Sequence, residues 1–350
     1  MTKIIATIGP TSEDLETLSF FAAHNVEYAR LNFSHNTPDW HIACGKKVRQ
    51  AGLKILADVS GPKIRLGDLV SDIEAAEGME IILEKQDLEI DYPVWKEEGQ
   101  NHILVLPTLL DLAPFLAPDR VLLIDDGKVE LKVEKVVEGK IFAKVVFGGK
   151  IRSHKGINLP ETDIKINFLT KRDVEFLSQV LPVLKPEVVA VSFVKTVKDL
   201  EILKDFVTKV LADNNITGYF PQICPKLEMG EALKMENLEQ IVDFCDLIMI
   251  ARGDLALEAH PLHINVPFNQ EKIKQACQAK NKPFIVATQI LESMISSPVP
   301  TRAEVSDLYR AVILDKANFV MLSGEAASGE YPKKCVELME TMIKMSASQN

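Results

Sequence analysis

An ammonium and two carboxylates fall close together in this chain. The apolar run QICPKLE (222–228) ends in Lys226 and Glu228, and the next run, LIMIARGD (247–254), ends in Asp254. If both runs are strands, Lys226 and Glu228 share one face, because side chains alternate with period two. Two carboxylates at neighbouring strand ends suit a hard divalent cation such as Mg²⁺, which takes few protein ligands and leaves positions for substrate oxygens. A lysine beside them can stabilise negative charge developing on a phosphoryl group or an enolate. An isolated Lys-Leu-Glu would be a surface ion pair of little consequence. Its placement after one apolar run, with an aspartate after the next, favours a site. Gly253-Asp254 also opens a predicted helix whose free N–H groups suit a carboxylate.

Two further groups stand at run ends. Arg30-Leu31-Asn32-Phe33-Ser34-His35 and Asp58-Val59-Ser60-Gly61-Pro62-Lys63-Ile64-Arg65 bring two arginines, a lysine and several oxygens together around a Gly-Pro turn. Arginine suits bidentate phosphate recognition, so this group favours a phosphate site. Thr288, Ser323 and Glu325 close the last two runs. Their hydroxyls could hold a water or relay a proton, or could simply cap helices, and the residue types alone do not separate these two roles.

The elements that must carry these groups are eight apolar runs. They read KIIATIG (3–9), YARLNFS (28–34), KILADVS (54–60), VVAVSF (188–193), QICPKLE, LIMIARGD, PFIVAT (283–288) and FVMLSGE (319–325). Segments of helical period lie between them. Ser12 is expected to cap the helix after the first run, Thr37-Pro38 to start the second, and Thr301 with Glu304 to form a capping box. Strand-helix alternation with reactive groups at strand ends predicts a (β/α)8 TIM barrel of the α/β class. The alternation breaks once. KVELKVEKVVEGKIFAKVV (128–146) reads as a hairpin about Glu138-Gly139-Lys140, whereas 84–101 reads as polar and loop-rich. The expected organisation is barrel over 1–66, an inserted β-rich lid domain over 67–154, and barrel over 155–350, with Gly67 and Gly148-Gly149 as hinges.

The chain has 350 residues, 47% hydrophobic and 26% charged, with a formal net charge of −10. That balance argues against general nucleic-acid binding. No apolar run reaches the roughly 20 residues needed to span a bilayer. The five cysteines are scattered, without a CxxC. Together with an N-terminus that opens directly into a strand, this predicts a soluble cytoplasmic protein with no disulfide framework.

Taken together, the blocks ATIGP, RLNFSH, GPKIR, IDDG (124–127), SHKGINLP (153–160), KLE, ARGDL, ATQILESM, TRAEVSD and MLSGEAASGEYP resemble the pyruvate kinase family in order and spacing. The resemblance runs from Lys3 to about Pro332. It implies phosphoryl transfer from phosphoenolpyruvate to ADP, followed by protonation of the enolate to give pyruvate. Carried onto matching positions, it assigns Mg²⁺, or Mn²⁺ in its place, to Glu228 and Asp254. It assigns transition-state and enolate stabilisation to Lys226, and the substrate carboxylate to the Gly253 and Asp254 backbone with Thr288. Arg30 would meet the transferring phosphoryl group. Asn32, His35, Arg65, Asp126 and Lys155 match nucleotide-side positions, and Thr288, Ser323 and Glu325 match the proton relay.

The resemblance also bears on monovalent cations. Many family members carry GPEIR at this turn and require K⁺, held by positions matching Asn32, Ser34, Asp58 and the Val59 carbonyl. Here Lys63 replaces the glutamate, and its ammonium could stand in for K⁺, which predicts activity without that ion. The chain ends soon after the eighth run, where the family usually continues into a C-terminal regulatory domain. This implies no effector activation through such a domain, and leaves a homodimer through the barrel as the expected assembly. Ala256, Arg310 and Asn36 are smaller departures. A Mg²⁺-dependent lyase or aldolase would not need Arg65, Asp126 and Lys155. A pseudokinase would not need Lys226, Glu228 and Asp254.

Overall fold

A computed structural model describes residues 2–98, 101–160, 162, 164–258 and 263–347. It divides into two compact units. The first comprises Met1–Pro62, Asn167–Leu255 and Val266–Asn350, and the second Lys63–Ile166 with Ala256–Asn265.

The first unit is a closed barrel of eight parallel strands, formed by the eight runs singled out above. They are β1 (Lys3–Thr7), β2 (Val26–Asn32), β3 (Lys54–Val59), β4 (Val188–Val191), β5 (Gln222–Leu227), β6 (Ile248–Ala251), β7 (Phe284–Ala287) and β8 (Phe319–Leu322). Each pairs with its neighbours in chain order, and β1 closes on β8 through Lys3↔Phe319 to Ala6↔Leu322. Strands in a closed parallel sheet are covered on both faces, which is why these runs are nearly continuously apolar. Alternate residues turn inward. Ile5, Tyr28, Leu56, Ala190, Cys224, Met249, Ile285 and Met321 pack together as the barrel's interior.

The helices start where local chemistry allows. Thr37 Oγ1 accepts the Trp40 N–H at 3.3 Å with Pro38 in the first turn, and Thr301 and Glu304 form the expected reciprocal box. The first helix, Leu15–Ala23, differs from expectation: Asp14 caps it, accepting the Thr17 N–H at 2.9 Å. Ser12 is instead fully buried and accepts the Gly9 N–H at 3.2 Å, so it shapes the turn after β1.

The second unit carries an eight-stranded sheet and a two-stranded one. Its hairpin pairs Val129–Val137 with Lys140–Phe147 about Glu138 and Gly139, both at positive φ (50° and 75°), as a two-residue turn joining twisted strands requires. Val129, Leu131 and Val133 bury one face of it, against Ile141, Ala143 and Val145. The unit extends beyond 67–154 at both ends, because the strand Ile64–Arg65 pairs with Gly156–Asn158 in its sheet. Within 84–101, expected as loop, Val94–Glu98 is a strand paired antiparallel to Asn101–Thr108. It is a sheet edge with both Trp95, 53% exposed, and Lys96 exposed, so the run lacks the apolar alternation that marks a half-buried strand. Gly67 and Gly148-Gly149 lie inside this unit, not at its borders. A Cβ at Gly148 would come within 2.3 Å of the Ala75 carbonyl, so close backbone packing explains that glycine.

Candidate functional site

The charged layer of the barrel follows from the same alternation that builds its core. One step beyond inward-facing Tyr28, Leu56, Ala190 and Cys224 come Arg30, Asp58, Ser192 and Lys226, and after Lys226 comes Glu228. Polar groups therefore stand directly above an apolar floor.

They are tightly connected. Asp58 Oδ2 accepts Arg30 Nε at 2.7 Å and Nη2 at 2.6 Å, while Asp58 Oδ1 lies 3.4 Å from Lys226 Nζ. Lys226 Nζ also donates to Ser192 Oγ at 2.5 Å, and Arg30 Nη1 donates to Thr7 Oγ1 at 2.9 Å. The Asp58 side chain is 1% exposed, against 10% for Arg30 and 12% for Lys226, so the cations face the accessible side and their counter-charge lies beneath. Burial would raise the Asp58 pKa, but the charges of Lys226 and Arg30 and their hydrogen bonds outweigh it and hold the carboxyl below its ordinary value. Burial likewise works against the Lys226 ammonium. Asp58 and Glu228 outweigh both that and the repulsion from Arg30, with help from Asp254, and the lysine ends above its ordinary value. Lys226 is therefore a fixed positive charge at neutral pH, unsuited to giving up a proton.

Glu228 is fully buried and accepts the Phe193 N–H at 2.8 Å. Asp254 lies in the first turn of the helix Arg252–Glu258 and is half-buried. Among the described residues no group of three or more His, Cys, Asp or Glu forms a metal cage. Two carboxylates without thiolate or imidazole are a hard, sparse donor set, which fits Mg²⁺ and leaves positions for substrate oxygens.

Thr288 Oγ1 accepts the Gly253 N–H at 2.8 Å. This amide was expected to hold a substrate carboxylate, and here it is engaged by the very hydroxyl expected beside it. Glu325, fully buried, accepts the N–H groups of Leu291 at 3.1 Å and Ser323 at 2.7 Å. The Ser323 hydroxyl is buried without a hydrogen-bond partner among the described residues. Thr288 thus belongs to the Gly253 side, whereas Glu325 braces the turns after β7 and β8.

A cavity of about 400 Å³ adjoins this layer, lined by residues that include Thr7, Pro10, Arg30, Asn32, His35, Trp40 and Ser323. Of the nucleotide-side residues expected from sequence, Asn32 and His35 therefore line a common space. Arg65, Asp126 and Lys155 belong to the second unit. There Lys155 Nζ pairs with Asp125 at 2.8 Å, Arg65 donates to the His154 carbonyl at 3.0 Å, and Asp126 is exposed in the left-handed turn Asp125-Asp126-Gly127.

The positions matching a K⁺ site are each engaged by protein groups, Asp58 by Arg30 and Lys226 as above. Asn32 Oδ1 accepts the Ser34 N–H at 3.1 Å, Ser34 and Ser60 hydroxyls meet at 2.8 Å, and the Val59 carbonyl accepts the Ser192 N–H at 3.3 Å. In the second unit the Lys63 side chain lies over Gly156, where an added Cβ would approach its Cε to 2.7 Å. Sequence reasoning gave no role to Ser192, Asp125 or Trp40. The first two sit beside assigned residues as strand-end polar groups, while Trp40, on the helix after β2, carried no signal that it lines a cavity.

Comparison with known proteins agrees with this geometry. The family model described as "Pyruvate kinase, barrel domain" matches residues 1–336. Pyruvate kinases from Agrobacterium vitis and Mycobacterium tuberculosis are 36% and 38% identical over 98% and 97% of the chain. One from Thermococcus litoralis is 35% identical over 98% of it. The matches span 67%, 69% and 69% of those proteins, so the chain corresponds to about two thirds of their length. With its barrel, its strand-end carboxylates and lysine, and this likeness over nearly its whole length, the chain belongs to the pyruvate kinase family and is a phosphotransferase of that type.

Proposed function

We propose that the Arg30–Asp58–Lys226 layer, with Glu228 and Asp254, is where phosphoenolpyruvate gives its phosphoryl group to ADP. The observation that carries this assignment is the buried Asp58 holding two cations at the accessible side of the barrel. As the phosphorus–oxygen bond to the enol oxygen breaks and the bond to the terminal oxygen of ADP forms, negative charge moves onto the enol oxygen. Lys226 meets that charge, and Arg30 meets the phosphoryl oxygens. Both are held in place before reaction, so little reorganisation accompanies the transfer. Glu228 and Asp254 would hold Mg²⁺, which when bound supplies further charge neutralisation on phosphate and substrate oxygens.

Product formation then needs one proton at C3 of the enolate, with C2–O⁻ becoming a carbonyl. Lys226 remains charged, which favours a hydroxyl–water relay that includes Thr288 and Ser323, with Glu325 fixing the Ser323 backbone. The substrate carboxylate would take up the Gly253 amide and Thr288 hydroxyl that now bond each other, with the Asp254 amide beside them. The cavity at Asn32, His35 and Trp40 would take the nucleotide, and Arg65, Asp126 and Lys155 keep the nucleotide-side role that the family resemblance implies for them.

Activity without K⁺ is supported by Lys63 in place of the glutamate and by the protein partners that already engage the matching positions Asn32, Ser34, Asp58 and the Val59 carbonyl. A barrel homodimer is supported by exposed apolar side chains on the outer helices, Phe268 at 70% and Leu314 at 61%. Five free, buried cysteines suit a reducing cytoplasm. No helix among the described residues is long and apolar enough to cross a membrane.

The test is pyruvate formation from phosphoenolpyruvate with and without ADP and Mg²⁺. Turnover should need both and fall by several orders of magnitude in Lys226→Met. Pyruvate release without ADP would point to a lyase or phosphatase, and intact ligand binding without turnover to a pseudokinase.

A further inference from the structure

The sequence assigns no role to Arg252, yet its guanidinium ties three elements together. The side chain is 8% exposed. Nη1 donates to Asp307 Oδ1 and Oδ2 at 2.8 and 2.7 Å, on the helix Arg302–Tyr309. Nη2 donates to the carbonyls of Thr288 at 2.7 Å and Gln289 at 3.1 Å, and Nε reaches the Thr288 carbonyl at 3.2 Å. Those two carbonyls belong to consecutive non-glycine residues in the left-handed region, with φ of 71° and 52°. L-residues disfavour that conformation, so two in a row persist only where their surroundings hold them.

We infer that Arg252 is a positioning residue for the proton step, acting through Thr288. This rests on the proposed part of Thr288 in that step. The guanidinium fixes the Thr288 backbone, and before substrate enters the adjacent Gly253 N–H also engages its hydroxyl at 2.8 Å. Arg252 thereby sets the Thr288 backbone from the same tripeptide that carries the metal-side carboxylate Asp254. The function needs a fork. Five N–H donors in a rigid plane can serve a carboxylate and two carbonyls at once, and an ammonium point charge cannot. A merely electrostatic contribution near Asp254 would survive replacement by lysine.

Deuterium exchange into the pyruvate methyl group in D₂O, followed by NMR on the Mg²⁺-loaded enzyme, isolates the proton step from phosphoryl transfer. Arg252→Lys should slow exchange on the order of 10²-fold, as small misplacements of reacting groups do. KM for ADP should stay within about twofold, since the nucleotide cavity does not depend on this turn. Asp307→Asn should slow exchange less, because the carbonyl contacts remain, and it carries the test if Arg252→Lys does not fold. Thr288→Val should lose at least as much as Arg252→Lys. If Thr288→Val leaves exchange unchanged, the role of Thr288 falls and this inference with it. If Thr288→Val is slow but Arg252→Lys exchanges at the wild-type rate, the positioning role alone is refuted. Loss of exchange that merely tracks a lowered thermal midpoint, with KM rising equally for both substrates, also overturns it.

Discussion

Asp58→Asn should destabilise the barrel far more than loss of one surface carboxylate. Asp58 is 1% exposed and lies between two cations, 2.6 Å from Arg30 Nη2 and 3.4 Å from Lys226 Nζ. Removing one member of a buried ionic group leaves the others uncompensated, which costs about 3–5 kcal/mol. At about 2 °C per kcal/mol for a unit of this size, the thermal midpoint should fall by about 6–10 °C. Scanning calorimetry near neutral pH reads this directly. Asp72→Asn, at an exposed pair with Lys150, is the control and should leave the midpoint within about 1 °C. Acid unfolding supplies the sign. The Asp58 pKa is depressed in the folded state because Lys226 and Arg30 outweigh the burial that would raise it. Its stabilisation is therefore present above the unfolded value, about 3.9, and is lost as pH falls through the lower folded value. Asp58→Asn should remove that part of the acid limb. A midpoint shift under about 2 °C, or an unchanged acid limb, would refute the account of Asp58 as the counter-charge of both cations.

Three further outcomes follow from particular contacts. Trp40 lines the cavity beside Asn32 and His35, so Trp40→Ala should raise KM for ADP between about 5- and 100-fold, the range of one base–aromatic stack, with KM for phosphoenolpyruvate little changed. Steady-state kinetics in both substrates would show otherwise if the two constants rose together. The unsubstituted enzyme should keep its activity in tetramethylammonium buffer, whereas Lys63→Glu should acquire a requirement for K⁺. Wild-type activity that appears only on adding KCl would contradict the role given to Lys63. Burial beneath Trp40, Phe33 and Phe176 lowers the His41 pKa to about 4, with the nearby Arg172 also lowering it and the His35 carbonyl opposing. The unfolded chain then binds the extra proton first, so roughly 3 kcal/mol of stability should be lost as pH falls from about 6.5 to 4. His41→Phe should flatten urea midpoints over that window.

Period and spacing made most of the barrel legible. Each of the eight strands is short, apolar on both faces and closed by a polar residue, and the Glu138-Gly139 hairpin and the caps at Thr37 and Thr301 follow from local chemistry alone. Where local signals competed, residue type alone did not choose between them. Ser12 and Asp14 are both good caps, and the fold used the aspartate for the helix and the serine for the turn after β1. The edge strand Val94–Glu98 leaves Trp95 and Lys96 exposed, so its composition resembles loop.

What the sequence could not show is which polar groups answer one another across strands. Lys226 and Glu228 share a face by arithmetic, but the counter-charge of Lys226 comes from Asp58, two strands away, with Ser192 on the strand between. No spacing rule joins residues 58, 192 and 226, because barrel closure alone makes them neighbours. The same holds for Arg252, whose partners Thr288, Gln289 and Asp307 lie on the next strand's turn and on an outer helix. Reactive side chains can be found from residue type and strand ends. The groups that hold them are set by register, and their chemistry is ordinary enough to pass unnoticed along the chain. This is why a positioning residue such as Arg252 emerges only from the folded arrangement, and why its substitution should disturb one chemical step while leaving nucleotide binding intact.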